Sequence, residues 1–428
     1  MREVIGTRFP LRWRSFGWVL VAAAMLTVMG SCERAVTRDA VSPDVGADWT
    51  VVEEYLDQQR EWRKSIDERF RQGARNGQSS RELRESLPMP PDVARAVAAA
   101  TAILNLDGAH DKTIEAAEFL VMRAGSAKNS DRHMYIGAKA LLSHGSAYEK
   151  WPQVLSRMDS QRMYVGPAVD AFFEELASEA EDPGLRANGK YYVAAGFMSS
   201  ANLEFLLPTE DREVMRQWAL KSATGLSVGV EEEEFLGAYP DGKPIAQTLA
   251  EAEVDLLRKI KHGTVGGTLP DVRGERIDGV EECLSDFRGR VVLLDFWATW
   301  CRPCVAALPK LRELVAKLPA NRFALVAISV DEERGAVTEF IEDEPMPWTN
   351  WHVGEGSEIA SLLQIEEFPT YVLVDEHGKI LTRFNGLGGL LAPFTTSLIE
   401  RAVYHPGKPV SHPLQRLFQF FWKLSSPK

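Results

Sequence analysis

The sequence predicts two kinds of fold in one chain. An all-α region, either a bundle or an array of helix pairs, precedes an α/β domain that fills roughly the last third. Three observations predict this. From Asp92 to His262 apolar residues recur at helical spacing almost without a break. From Leu269 onward the period changes to short apolar runs bounded by turn residues. Among those runs, Val291-Val292-Leu293-Leu294-Asp295-Phe296-Trp297 is apolar on both of its faces and reads as a buried strand. At 428 residues the chain exceeds one ordinary core, so two globular parts are expected.

Residues 1–32 read as a signal segment outside the fold. Arg2, Arg8, Arg12 and Arg14 against the single Glu3 give a positive start, and Phe16 to Met29 is an uncharged apolar stretch, short for a membrane span. It ends in Met29-Gly30-Ser31-Cys32, which resembles a bacterial lipoprotein signal in which Cys32 is the lipid attachment site. Met29 stands where leucine is usual; an uncleaved anchor and a plain signal peptide are the alternatives. All three place the body of the chain outside the cytoplasm, membrane-anchored or secreted.

Residues 33–91 read as a polar tether and a charge-rich helix, with Val51, Val52, Tyr55, Leu56, Trp62 and Ile66 near helical spacing. The helical domain is expected over 92–262. Asp92 has the character of an N-cap before Val93, Ala96, Val97, Ala100, Ile103 and Leu104. Alanine on packing faces lets helices approach closely, and the faint likeness of 114–124 to 136–145 is compatible with stacked pairs or an irregular bundle. The run Glu231–Glu234 sits in an expected loop, where four adjacent carboxylates form a solvated face rather than a metal site. Gly263, Gly266 and Gly267 suggest a hinge.

The α/β domain is expected over 263–403. A hairpin at 269–279, the strand Val291–Trp297, a helix Pro303–Leu318, a strand Phe323–Val330 and short helices 335–341 and 357–363 follow in order. Strands 370–375 and 379–384 then turn at Glu376-His377-Gly378, and 389–403 closes as a helix. Residues 404–428 form an aromatic-rich tail whose segment 413–422 suits either a membrane surface or the protein's own helices.

Chemistry is concentrated at Trp300-Cys301-Arg302-Pro303-Cys304. Two cysteines two residues apart can close a disulfide with little backbone movement, and a dithiol at a strand-to-helix turn is a redox site more often than a metal site. A zinc site needs a second ligand pair, and neither Cys283 nor His262 has the spacing for one. Cys283 is expected to be a small buried hydrophobe.

Residues 269–403 resemble the TlpA/ResA-like thioredoxin family of extracytoplasmic thiol–disulfide oxidoreductases. The resemblance rests on Asp286-Phe287-Arg288-Gly289-Arg290, the run Val291–Cys304, Pro309, Phe368-Pro369-Thr370 and the turn Val374–Lys379. It implies a thioredoxin fold with Cys301 as nucleophile at a helix N-terminus, Cys304 as resolving thiol, Pro369 as a cis-proline and Asp295 as the buried acid. A satisfied strand aspartate is the plainer reading of Asp295. Many relatives carry a glutamate three residues after the second cysteine; Ala307 stands there, which leaves Asp295 as the acid. Trp297, Trp300, Arg302, Phe368 and Thr370 are expected around the substrate groove, although Trp297 suits the core equally.

Three functions compete. The first is a membrane-tethered oxidoreductase that reduces disulfides of envelope proteins, recharged by a membrane electron donor and needing neither cofactor nor metal. The second is a peroxiredoxin-type peroxidase, disfavoured because Leu294 and Ala298 fill the places of its proline and threonine. The third is a helical envelope scaffold with the redox unit secondary. The net charge of −12 argues against nucleic acid as partner.

Overall fold

A computed structural model describes residues 45–407, apart from 77, 79–86, 107–111, 127–129, 143–147, 166, 203–208, 238–247, 355 and 386–391. The signal segment with Cys32 and the aromatic tail 413–422 lie outside the described residues. The chain divides into two compact units, Met1–Tyr192 with Ser227–Ala250, and Val193–Leu226 with Glu251–Lys428. The second unit takes in helical residues as well as the α/β domain expected from 263.

The first unit is helical, as the spacing predicts. A long helix α1 (Val45–Arg75) precedes α2 (Ala94–Leu104), α3 (Thr113–Arg123), α4 (Ser130–Leu142), α5 (Trp151–Val165), α6 (Pro167–Glu179) and α7 (Pro183–Ala201), the last crossing the division at Tyr192. The apolar face of α2 is buried through Ala96, Val97, Ala100 and Ile103. Asp92 acts one residue outside the cap position that its sequence suggested. Val93 precedes the helix directly, and the Asp92 carboxylate accepts from the Ala94 amide at 2.9 Å. Close approach of helices is visible at Gly137 on α4, where an added Cβ would stand 2.6 Å from the Ala117 carbonyl oxygen of α3. At Gly189 on α7 the same atom would stand 2.5 Å from the backbone nitrogen of Ala177 in α6. Aromatic contacts fill the wider gaps. Tyr55 meets Phe119 edge-on at 5.8 Å, and Phe173 stacks on Tyr192 at 4.7 Å.

The second unit holds the end of α7, then α8 (Thr209–Ala223) and α9 (Leu249–Arg258, from Glu251), which closes in a wide turn Lys259–Gly263. A seven-stranded mixed sheet follows. Its strands are β1 (Arg273–Arg276), β2 (Glu281–Cys283), β3 (Val291–Trp297), β4 (Phe323–Ser329), β5 (Thr349–His352), β6 (Thr370–Val374) and β7 (Ile380–Asn385), in the order β2-β1-β5-β4-β3-β6-β7. Central β3 runs parallel to β4 and antiparallel to β6. Every residue of β3 is buried, which accounts for a run that is apolar apart from Asp295.

Side chains of β3 alternate between two core layers. Val291, Leu293 and Trp297 share a layer with Leu308, Leu311 and Leu314 of α10 (Arg302–Lys317), Val337 of α11 (Arg334–Asp343) and Leu398 and Ile399 of α13 (Ala392–Tyr404). Val292, Leu294 and Phe296 share the other with Trp351, Phe287, and Ile359 and Leu362 of α12 (Glu358–Leu362). The β6–β7 hairpin turns where expected. The Asp375 carboxylate accepts from the amides of His377 and Lys379, and Gly378 sits at φ 88°. Strand β5 falls between the short helices expected at 335–341 and 357–363, where no strand was expected.

Candidate active site

The site is built at the carboxyl end of β3, where the buried strand ends and α10 begins. Cys301 is the N-cap of α10 in extended conformation, and its Sγ accepts from the Cys304 amide at 3.3 Å. Pro303 occupies the first turn, where it forfeits no helical hydrogen bond. Cys301 and Cys304 are joined as a disulfide with their Cα atoms 5.3 Å apart. Cys301 is 5% exposed and Cys304 3%, so burial barely distinguishes them. Their difference is positional. Once the bond opens, Cys301 Sγ faces the free amides and positive dipole end of α10, which favours a thiolate there.

The surroundings of the pair separate the expected groove residues. Trp300 is 65% exposed and meets Phe368 edge-on at 5.8 Å. Arg302 is exposed at the start of α10. Phe368 is half-buried and its bond to Pro369 is cis. Thr370 is buried rather than exposed. Its hydroxyl donates to the Glu367 carbonyl at 2.6 Å and lies 3.0 Å from Asn385 Oδ1, so it braces the segment before Pro369. Trp297 is buried with its ring 5.3 Å from Phe340, which makes it a core residue and removes it from the groove.

Asp295 lies in the centre of β3, opposite Ala327 on β4 and Tyr371 on β6. Its neighbours at two-residue spacing, Leu293 and Trp297, belong to the same core layer as Cys304. The carboxyl therefore faces the layer beneath the dithiol. Among the described residues no cation compensates it, and burial pushes its pKa up to about 8. Tyr371 on the neighbouring strand is also buried, and burial together with Asp295 raises its hydroxyl above the ordinary range. Ala307, where relatives often have glutamate, is buried in the same layer.

Cys283 differs from expectation. It is a half-buried free thiol at the end of β2, and its amide donates to the Asp286 carboxylate at 2.8 Å. A short edge strand does not bury both of its faces, which is why a hydrophobe's environment is missing. Among the described residues no cluster of three or more His, Cys, Asp or Glu side chains is placed to hold a metal ion. None of the described helices is long and apolar enough to cross a membrane.

Two residues of the site escaped the sequence reading. Asp331, just past β4, is 4% exposed, and it accepts from the Thr299 amide at 3.0 Å and the Thr299 hydroxyl at 2.7 Å. Both contacts span 32 residues. An aspartate following the second buried strand was their one signal.

Residues 264–388 match the Redoxin family. Over 116 residues the chain is 31% identical to the thiol-disulfide oxidoreductase ResA of Bacillus thuringiensis, which is 27% of this chain and 64% of that protein. It is 33% identical over 120 residues to the ResA of Oceanobacillus iheyensis, covering 27% and 62%. The match thus spans less than two thirds of these relatives' length. A solved structure of a putative thiol:disulfide interchange protein DsbE from Chlorobium tepidum is 31% identical, covering 32% of this chain and 93% of that one, with a TM-score of 0.29. Strand order, the dithiol at the start of α10 and these sequence matches agree: residues 264–388 form a thioredoxin-fold domain that matches the Redoxin family and is similar to the ResA oxidoreductases.

Proposed function

We infer that this protein is a thiol–disulfide oxidoreductase that works outside the cytoplasm at a membrane surface and reduces disulfides of envelope proteins. One observation carries this reading: a closed Cys301–Cys304 pair at a helix N-terminus, beside an exposed Trp300 that meets Phe368. In the reduced enzyme the Cys301 thiolate attacks a substrate disulfide. A bond forms between Cys301 Sγ and one substrate sulfur, and the other substrate sulfur leaves and takes a proton. The Cys304 thiol then gives its proton to Asp295 through a water and attacks Cys301 Sγ. The second substrate sulfur departs as a thiol. Two electrons have passed to the substrate, and the enzyme holds the disulfide. A membrane electron donor, the second partner, returns it to the dithiol.

An extended substrate segment would lie along the backbone at Phe368 as an added strand, with Trp300 and Phe368 as its apolar contacts and Arg302 at its edge. Membrane attachment would come from lipidated Cys32. The helical unit supports a second reading, in which partner binding by helices 45–192 is the main task. Reduction of a protein disulfide such as that of oxidised insulin, driven by a dithiol reductant, tests the first reading. Turnover by the wild type and its loss in Cys301→Ser are expected. Equal rates in the two proteins would contradict it.

A further inference from the structure

We propose that Asp331 is a positioning residue for the redox turn, holding the segment Ala298–Cys301 in the geometry at which the dithiol closes. The proposal rests on the oxidoreductase reading above and assigns the residue that orients its reactive turn. Parallel pairing of β3 with β4 ends at Trp297 and Ser329, and one more backbone bond, from the Val330 amide to the Trp297 carbonyl at 3.1 Å, extends it. Past that point the turn has left the sheet. Within the turn one backbone bond runs from the Cys301 amide to the Ala298 carbonyl at 3.1 Å, and at its end the Cys301 carbonyl accepts from the Val305 amide of α10 at 3.1 Å.

Asp331 holds the middle of the turn, at Thr299. One carboxylate takes both donors of Thr299: the amide, at 3.2 and 3.0 Å from its two oxygens, and the hydroxyl, at 2.7 Å from Oδ1. Two donors from one residue on one carboxylate fix the direction of the chain as well as its distance. Thr299 lies two residues before Cys301 and directly before Trp300. The same anchor therefore aims the nucleophile and the exposed ring.

The anchor is itself fixed. Ser329 Oγ donates to Asp331 Oδ2 at 2.8 Å, and the Asp331 amide is 3.1 Å from Ser329 Oγ. His352 Nε2 donates to the Asp331 carbonyl oxygen at 2.8 Å; a carbonyl only accepts, so that nitrogen carries the proton. A buried carboxylate needs several donors to be tolerated, and this one spends two of its three on the redox turn.

Equilibration of the full chain with glutathione redox buffers, together with insulin-reduction turnover, tests the assignment. Asp331→Ala is expected to shift the equilibrium constant of the Cys301–Cys304 pair about tenfold toward the dithiol, a rise of about 30 mV in potential. Turnover is expected to fall by a similar factor. Asp331→Asn keeps an acceptor oxygen in place and is expected to return both values to within about threefold of wild type. Thr299→Val removes the hydroxyl, keeps the amide, and is expected to fall between them. A folded Asp331→Ala protein with wild-type equilibrium and turnover overturns the proposal, even if its melting temperature drops. If Asp331→Ala does not fold, Thr299→Val decides: a shift supports the role and wild-type values overturn it. A wild-type pair that does not equilibrate with glutathione contradicts the oxidoreductase reading instead.

Discussion

At the scale of single residues the electrostatics of Asp295 has two measurable consequences. Its carboxyl keeps its proton up to about pH 8 in the folded chain, whereas the unfolded chain loses it near 3.8. Between those values the unfolded state binds fewer protons, so stability falls as pH rises, by at most about 1.4 kcal/mol per pH unit from this group, and levels off above about 8. Asp295→Asn removes that slope. Chemical denaturation at a series of pH values is expected to show the variant gaining on the wild type from pH 4 to 8. The second consequence is kinetic. Asp295 accepts a proton only when ionised, so resolution by Cys304 is expected to quicken as pH approaches 8, and the variant should lose about tenfold or more in turnover along with that rise. The Cys301–Cys304 pairing, the cis bond before Pro369 and the burial of Asp295 were legible in the sequence because each lies inside a short local pattern. Asp331 and Thr299 were not, since what joins them is a strand pairing between distant segments. The interior place of Trp297 was equally hidden, because an aromatic at a strand end serves core and groove alike.

Elements were legible where their period was unbroken. Strands β3, β4, β6 and β7 and helix α10 appear within a few residues of their expected bounds. Strand β5 did not show, since Thr349-Asn350-Trp351-His352 carries a single large apolar residue and follows Pro347. Its place in the sheet depends on that residue: Trp351 is wholly buried and lies flat against β1 at Gly274. A Cβ at Gly274 would fall 2.1 Å from the Trp351 ring. Gly274→Ala is therefore expected to destabilise the fold by about 1–3 kcal/mol, measured by denaturant unfolding, while the surviving folded protein keeps its dithiol chemistry. An unchanged midpoint would show that β1 gives way at little cost.

At the scale of the whole molecule the sequence announced a change of architecture, and both architectures are present. Where one compact unit gives way to the next was less legible, because α7, α8 and α9 share one helical period on both sides of the division. The membrane assignment belongs to this scale too. Cys32→Ser is expected to move the protein from the membrane fraction to the soluble extracytoplasmic fraction, read by fractionation; retention in the membrane would favour an uncleaved anchor. The scaffold reading is separated by replacing Cys301 and Cys304 together with serine. Loss of disulfide reduction with partner binding intact supports the enzyme, and an unchanged phenotype supports the scaffold.

The most direct measurement is capture of the covalent intermediate. A Cys304→Ser chain, incubated with a disulfide-bonded protein and analysed by mass spectrometry without reductant, is expected to carry the substrate on Cys301, released by a dithiol. No adduct, or an adduct carried by Cys283 alone, would contradict the assignment of Cys301 as the attacking sulfur.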